Sequence, residues 1–109
     1  MEVVNFMPTH HEIEIHLVNG NVRVDKSKIL RVGDTVRYSS PAGKVRVFFP
    51  AGSPYRVSRI SDTHKHKVQK PRKEKYEYQC FVTPRGKKTE MGWAPENPKA
   101  GGEHEVIPG

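Results

Sequence analysis

The segment from residue 56 to residue 75 carries the densest group of side chains with binding chemistry. Eight of its residues are Lys or Arg, and only two are acidic. Lysine and arginine neutralise phosphates and release counterions, so the segment predicts salt-sensitive binding of nucleic acid or another polyanion. The candidate anion-binding residues are Lys65, Lys67, Lys70, Arg72, Lys73 and Lys75.

The same segment has a second interpretation that involves no ligand. Proteins that bind single-stranded nucleic acid usually interleave aromatic rings for base stacking, and residues 57–74 contain no Phe, Tyr or Trp. A lysine-rich loop also protects a β protein from edge-to-edge pairing with other chains. Residues 61–75 are therefore predicted to form a basic exposed loop or hairpin, and we favour this interpretation over the first.

Two further groups of side chains could bind a metal ion or react. His64 and His66 would place two rings on one side of an extended segment, and neutral imidazoles can bind a metal at that spacing. No thiol or carboxylate cluster accompanies them, so solvated histidines are expected. Cys80 is the only cysteine and alternates with Tyr76 and Tyr78, which favours a core position because free cysteines are among the most buried residues.

The composition predicts a single all-β domain. The chain has 109 residues and a net charge of +7, with thirteen Val against two Leu. This ratio favours strands, because β-branched residues fit a pleated sheet and crowd a helix. Nine Gly and nine Pro interrupt the chain often enough for the short strands of a sandwich. No apolar run reaches membrane-spanning length, so no membrane insertion is expected.

Alternating apolar and polar residues predict the strands and the core. Residues 1–10 are expected to form an N-terminal tail or edge strand, and residues 11–109 a single domain. Asn19 and Gly20 accept the positive φ of a tight turn, which predicts a hairpin around them. The predicted core consists of Ile13, Ile15, Leu17, Val22, Val24, Val36, Val45, Val47, Tyr76, Tyr78, Cys80, Val82 and Val106.

Several phrases of the sequence, taken in order, resemble the cupredoxin family. They are KILRVGDTVRY at 28–38, KVRVFFP at 44–50, SPY at 53–55, YEYQC at 76–80 and GGEHEVIPG at 101–109. The resemblance covers residues 11–109 and implies an antiparallel Greek-key β-sandwich of about seven strands.

The resemblance also implies where a copper ion would bind. Cupredoxins hold copper with two His, one Cys and usually an axial Met, ligands whose softness and geometry suit that metal. The strand that ends at Cys80 corresponds to the one that carries the copper Cys. Residues 40–44 and 81–85, where the two His are expected, contain none. If copper binds through an altered ligand set, the candidate ligands are Cys80, Met91 and His104.

Three function hypotheses follow from these observations. The first is a non-catalytic cupredoxin-like domain that lacks a complete type 1 copper site and acts as a binding or structural module for a protein partner. The second is a copper-binding or electron-transfer protein that uses Cys80. The third is a binder of nucleic acid or another polyanion through residues 56–75.

Catalysis and cellular location have less support in the sequence. It contains no glycine-rich phosphate loop, G-x-S-x-G elbow or H-E-x-x-H motif, so an enzyme is not expected. No cofactor is expected apart from the copper alternative. A complete chain predicts a cytoplasmic location, whereas removal of a signal peptide predicts a periplasmic or secreted one. The partner and the oligomeric state stay open.

Overall fold

Short runs of alternating residues form ten strands in the computed structural model, which describes residues 7–25, 28–69 and 71–108. A 3₁₀ helix at Pro98–Ala100 precedes the last strand. The strands are β1 (His10–Val18), β2 (Asn21–Val24), β3 (Ile29–Arg31), β4 (Thr35–Ser39), β5 (Gly43–Phe48), β6 (Arg59–Ile60), β7 (His66–Lys67), β8 (Lys75–Pro84), β9 (Met91–Gly92) and β10 (Gly101–Ile107).

The strands form two sheets that face each other across one core. The four-stranded sheet has the order β2-β1-β4-β7, and the six-stranded sheet has the order β3-β10-β8-β5-β6, with β9 paired to β8. The chain crosses from one sheet to the other at several points, for example between β2 and β3 and between β3 and β4. The all-β sandwich that the sequence predicts is confirmed.

The pairing is mixed, which corrects the expectation of an entirely antiparallel fold of about seven strands. β1 pairs with β4 in parallel, and β10 pairs with β3 in parallel. Each parallel pair joins strands that are separated in the chain by a crossover through other strands, whereas hairpins such as β1–β2 produce antiparallel neighbours. The larger number of strands reflects two-residue strands that are too short to leave an alternating pattern.

Apolar faces of both sheets pack into the core as expected. Twelve of the thirteen predicted core residues are buried, and Leu17 is partly buried against them. Residues outside the prediction complete the core, and they include large rings as well as aliphatic side chains. They are Leu30, Tyr38, Phe49, Tyr55, Ile60, Val68, Ala100 and His104.

Two local predictions can be compared with the structure at the N-terminal end. The predicted turn is present, since Asn19 and Gly20 have φ values of 51° and 79°. The predicted boundary between tail and domain falls inside β1, which begins at His10. Residues 1–6 lie outside the described part of the chain.

The basic segment is more ordered than an exposed loop. Its strand β7 pairs with β4, and Val68 is only 1% exposed. The segment predicted as a basic exposed loop or hairpin therefore also contributes one side chain, that of Val68, to the core. The charged side chains of Lys65 and Lys67 remain exposed. No helix in the described residues is long and apolar enough to cross a membrane.

Candidate anion-binding groove

A groove runs between the loop at residues 51–58 and the segment at residues 65–76. It consists of two adjoining depressions with volumes of about 560 Å³ and 270 Å³. Both depressions are lined by Tyr55, Arg56, Val57 and Gln69, so they lie next to each other. We call this surface the basic groove.

Positive charge dominates the basic groove. Arg72 and Lys73 line its larger part, Lys65 and Lys67 line its smaller part, and Arg56 lines both. All five side chains are exposed. No Asp or Glu is among the described residues that line either part. A concave surface lined by one sign of charge concentrates counter-ions of the opposite sign.

Hydrogen bonds hold the two walls of the groove together. The backbone N–H of Gln69 donates to the carbonyl of Pro54 at 2.8 Å, and the ammonium of Lys73 donates to the carbonyl of Ala51 at 2.6 Å. The Ser53 hydroxyl accepts the N–H of Tyr55 at 3.0 Å and also donates to the carbonyl of Val57. The bonds of Gln69 and Lys73 tie the basic segment to the loop and those of Ser53 brace the loop itself, so the cations are displayed on a defined surface.

The floor of the groove is made of two tyrosines whose rings are buried. The hydroxyl of Tyr76 accepts the backbone N–H groups of Arg72 and Lys73 at 2.9 Å and 3.3 Å, and the ammonium of Lys73 lies 5.2 Å from the centre of the Tyr76 ring. The hydroxyl of Tyr55 is bonded to Tyr38 at 2.8 Å inside the core. Neither ring is presented to the groove as a stacking surface.

The structure brings most, but not all, of the predicted anion-binding residues together. Lys65, Lys67, Arg72 and Lys73 line the groove, and Arg56 joins them from the opposite wall. Lys75 lies apart on β8, with its ammonium 3.9 Å from the carboxylate of Glu103. Lys70 lies outside the described residues.

The three candidate copper ligands do not converge. Cys80 pairs with Val47 on β5, whereas His104 pairs with Tyr76, four residues away along β8. This separation along the strand is about 13 Å. Met91 pairs with Val82 and so lies on the same face as Cys80, but a thiol and a thioether without imidazoles do not make a type 1 site.

The chemistry of these residues is also unlike that of copper ligands. Burial raises the pKa of the Cys80 thiol well above its usual range, and the side chain is fully buried. Both ring nitrogens of His104 are already hydrogen-bonded, Nε2 to the hydroxyl of Tyr38 at 2.8 Å and Nδ1 to the carbonyl of Lys28 at 3.3 Å. The described residues include no group of three or more His, Cys, Asp or Glu side chains placed to bind a metal ion.

The hydrogen bonds of His104 also determine where its proton lies. Because the carbonyl of Lys28 can only accept, Nδ1 carries the proton and Nε2 accepts from Tyr38. Burial lowers the pKa of His104 to about 4, although the bond to Lys28 opposes that shift. His104 is therefore a neutral member of the core, stacked on Tyr78 with 4.4 Å between ring centres.

The histidine pair of the basic segment does not form a metal site. His66 bonds to Asp62, with 2.9 Å between Nε2 and Oδ1. His64 contributes only its backbone N–H to the same carboxylate, at 2.9 Å. The carboxylate of Asp62 thus organises the turn that leads into β7.

Comparisons with known proteins find similarity to solved structures alone. No protein-family model and no curated protein match the chain. The structure of an amicyanin mutant with Cu(I) matches 87% of this chain and 81% of that chain, with 18% sequence identity and a TM-score of 0.43. Amicyanin is a cupredoxin, the family that the sequence motifs resemble.

The sequence alone did not reveal the second wall of the groove. The loop at residues 51–58 forms this wall and leaves Val57 44% exposed. One feature of the sequence does indicate an exposed loop here: Arg56 and Val57 lie in a stretch where Pro, Gly and Ser disfavour a regular strand. The pairing of that loop with Gln69 depends on tertiary structure and leaves no local pattern.

Proposed function

We propose that this domain is a non-catalytic binding module that holds an anionic ligand in the basic groove. The observation that supports the proposal most strongly is the convergence of five exposed cations from two separate segments, without a carboxylate in the lining. Side chains that merely keep a surface soluble are normally interspersed with charges of the opposite sign.

The groove has the features that anion binding requires. Arg56, Arg72 and Lys73 line the larger part, which has a volume of about 560 Å³. None of the five cations forms an ion pair with an acidic side chain of residues 7–25, 28–69 or 71–108. Binding an anion would therefore not require the loss of an existing salt bridge.

The copper-binding alternative has no comparable support, because Cys80 and His104 are apart and His104 has no free ring nitrogen. The fold resemblance concerns the scaffold. We therefore place the function of this domain at its surface and not at the end of the sandwich where the resemblance implies a metal.

Titration with fluorescently labelled inorganic polyphosphate tests the proposal. Binding should weaken steeply when the salt concentration rises from about 0.05 M to about 0.2 M, because bound cations release counterions. The double variant Arg56→Ala and Arg72→Ala should weaken binding at least tenfold and reduce the salt slope by about one for each cation removed.

The matched control is the double variant Lys87→Ala and Lys88→Ala, which removes the same charge from the exposed turn that follows β8. It should retain most of the affinity. Equal losses in both double variants would show that only net charge matters, and absence of binding at low salt would reject the proposal.

A further inference from the structure

The basic groove lies beside an unpaired sheet edge. β7 is the last strand of the four-stranded sheet, paired on one side with β4. On its other side lies the smaller part of the groove, lined by Lys65, His66 and Lys67. An edge strand presents backbone N–H and C=O groups that can pair with another chain.

The hydrogen bonds of the segment show which backbone groups face the groove. The N–H of Val68 donates to the carbonyl of Asp34 at 2.8 Å, and the carbonyl of Val68 accepts the N–H of Gly33 at 2.9 Å. Both groups of Val68 therefore point toward the side of β4. Because these groups alternate in direction along a strand, those of Lys67 and Gln69 point the other way. Gln69 confirms this direction, since its N–H donates across the groove to the carbonyl of Pro54 at 2.8 Å.

Lys67 therefore offers a backbone donor to the groove. Its carbonyl accepts the side-chain amide of Gln69 at 3.2 Å, and its N–H makes no hydrogen bond with the residues that the structure describes. The side chains of Lys65 and Lys67, two residues apart, project from one face of the strand, and both residues line the smaller part of the groove. The N–H of Lys67 thus lies at an edge that these two lysines flank.

Resting on the proposed function, we propose that the basic groove binds an acidic, extended segment of a partner protein, which pairs with β7 as an added strand. Strand addition takes affinity from main-chain hydrogen bonds and specificity from alternate side chains. Acidic side chains of the added segment meet Arg56, Lys65 and Lys67. Val57, which is 44% exposed, contacts its apolar side chains.

Two observations favour this partner over other polyanions. The tyrosines of the floor are buried, so the groove lacks the exposed rings on which single-stranded nucleic acids stack their bases. The free edge recognises a peptide backbone, which phosphate and sulfate polymers do not have. The same lysines, together with the net charge of +7, repel a second copy of this chain.

The first test uses a labelled peptide of alternating Glu and Val, followed by fluorescence anisotropy. An otherwise identical peptide carrying N-methyl groups on alternate amides keeps the charge and loses the pairing edge. The unmodified peptide should bind about tenfold more tightly, because the methyl groups hold the peptide carbonyls away from the N–H of Lys67, and a lost backbone hydrogen bond weakens binding several-fold. Equal binding of the two peptides would overturn the strand-pairing proposal.

The second test changes the protein. Lys67→Pro and Lys67→Ala remove the same charge, but only the proline variant also removes the outward N–H, at a position whose backbone does not bond to β4. The proline variant should bind the peptide more weakly than the alanine variant and bind polyphosphate equally well. Circular dichroism verifies folding, and the N-methyl comparison stands independently of both variants.

The outcomes separate this inference from the proposed function. Binding of polyphosphate or of a single-stranded oligonucleotide without binding of the Glu–Val peptide would overturn the peptide partner and leave the anion-binding module in place. Failure of all three probes to bind at low salt would reject both.

Discussion

Tyr38 and His104 are joined by a hydrogen bond of 2.8 Å in the middle of the core. The hydroxyl of Tyr38 is also hydrogen-bonded to the hydroxyl of Tyr55, and Nδ1 of His104 is hydrogen-bonded to the carbonyl of Lys28. The result is a line of buried polar groups that crosses from the floor of the groove to the segment before β3. Since buried polar groups are costly when unpaired, each member depends on its neighbours.

Removing the central hydroxyl should destabilise the fold. Tyr38→Phe leaves the Nε2 atom of His104 and the hydroxyl of Tyr55 without their shared partner, and each buried group left unsatisfied costs about 1–3 kcal/mol. Urea denaturation measures the change in the free energy of unfolding. Tyr78→Phe is the matched control, because the Tyr78 hydroxyl is buried and has no hydrogen-bond partner among the described residues. Its removal should be neutral or stabilising, and equal losses would contradict the network.

The buried histidine should make stability depend on pH in a defined window. The pKa of His104 is about 4 in the folded state against an ordinary value of 6.5, so between these values the unfolded chain binds more protons. Stability should therefore be complete above about pH 6.5 and decrease as the pH falls toward 4, by about 3 kcal/mol.

Two measurements check this pH dependence. Denaturation of the wild type and of His104→Gln across the window should show a steeper decrease for the wild type. NMR titration of the imidazole should give the low pKa directly. An imidazole that titrates near its ordinary value in the folded protein would contradict the prediction.

Asp34 should be more important for stability than an exposed aspartate. Its carboxylate accepts the N–H groups of Thr9 and Arg31 at 2.9 Å and 3.0 Å and contacts Nε2 of His11 at 2.9 Å. Burial alone would raise its pKa, and these hydrogen bonds reverse that effect and lower the pKa. Asp34→Ala should cost about 3 kcal/mol, because the donors lose a charged acceptor.

The control for Asp34 is Asp25→Ala. The side chain of Asp25 is 83% exposed, with its carboxylate 3.8 Å from His16, and exposed ion pairs contribute little. Its replacement should change the free energy of unfolding by less than about 1 kcal/mol. A similar cost at both positions in thermal denaturation would contradict the assigned role of Asp34.

Cys80 should be unreactive in the folded protein. The thiol is fully buried, and burial raises its pKa, so both access and thiolate formation are opposed. Reaction with a disulfide reagent should follow the opening of the fold and accelerate by orders of magnitude in denaturant. Rapid modification under native conditions, at a rate independent of added denaturant, would show that the thiol is accessible.

The residues of the sheet cores were predictable, because alternation places one set of side chains on one face. Tyr76, Tyr78 and Cys80 are buried as their spacing indicates. His104 shares the face of Val106 by the same rule, so a core position for that histidine could have been predicted from the sequence. Expecting it as a metal ligand gave more weight to its chemistry than to its position.

Features built from distant segments were not predictable in this way. Val68 is a single apolar residue in a basic stretch, and one residue carries no periodicity. The groove depends on the bond between Gln69 and Pro54 and on the position of β7 beside β4. The sequence shows which residues are cationic, but their arrangement around a concave surface depends on the packed sandwich.

The position of β10 has a consequence for how the chain folds. Among the strands of the described residues, β3 pairs with β10 alone, and β10 itself lies between β3 and β8. During synthesis, β3 emerges early and must wait for about seventy further residues before its partner strand exists. The pairing of β3 with β10 thus forms late, through a loop closure that slows folding. An emerging chain would need protection of its exposed apolar residues until residues 101–107 are present.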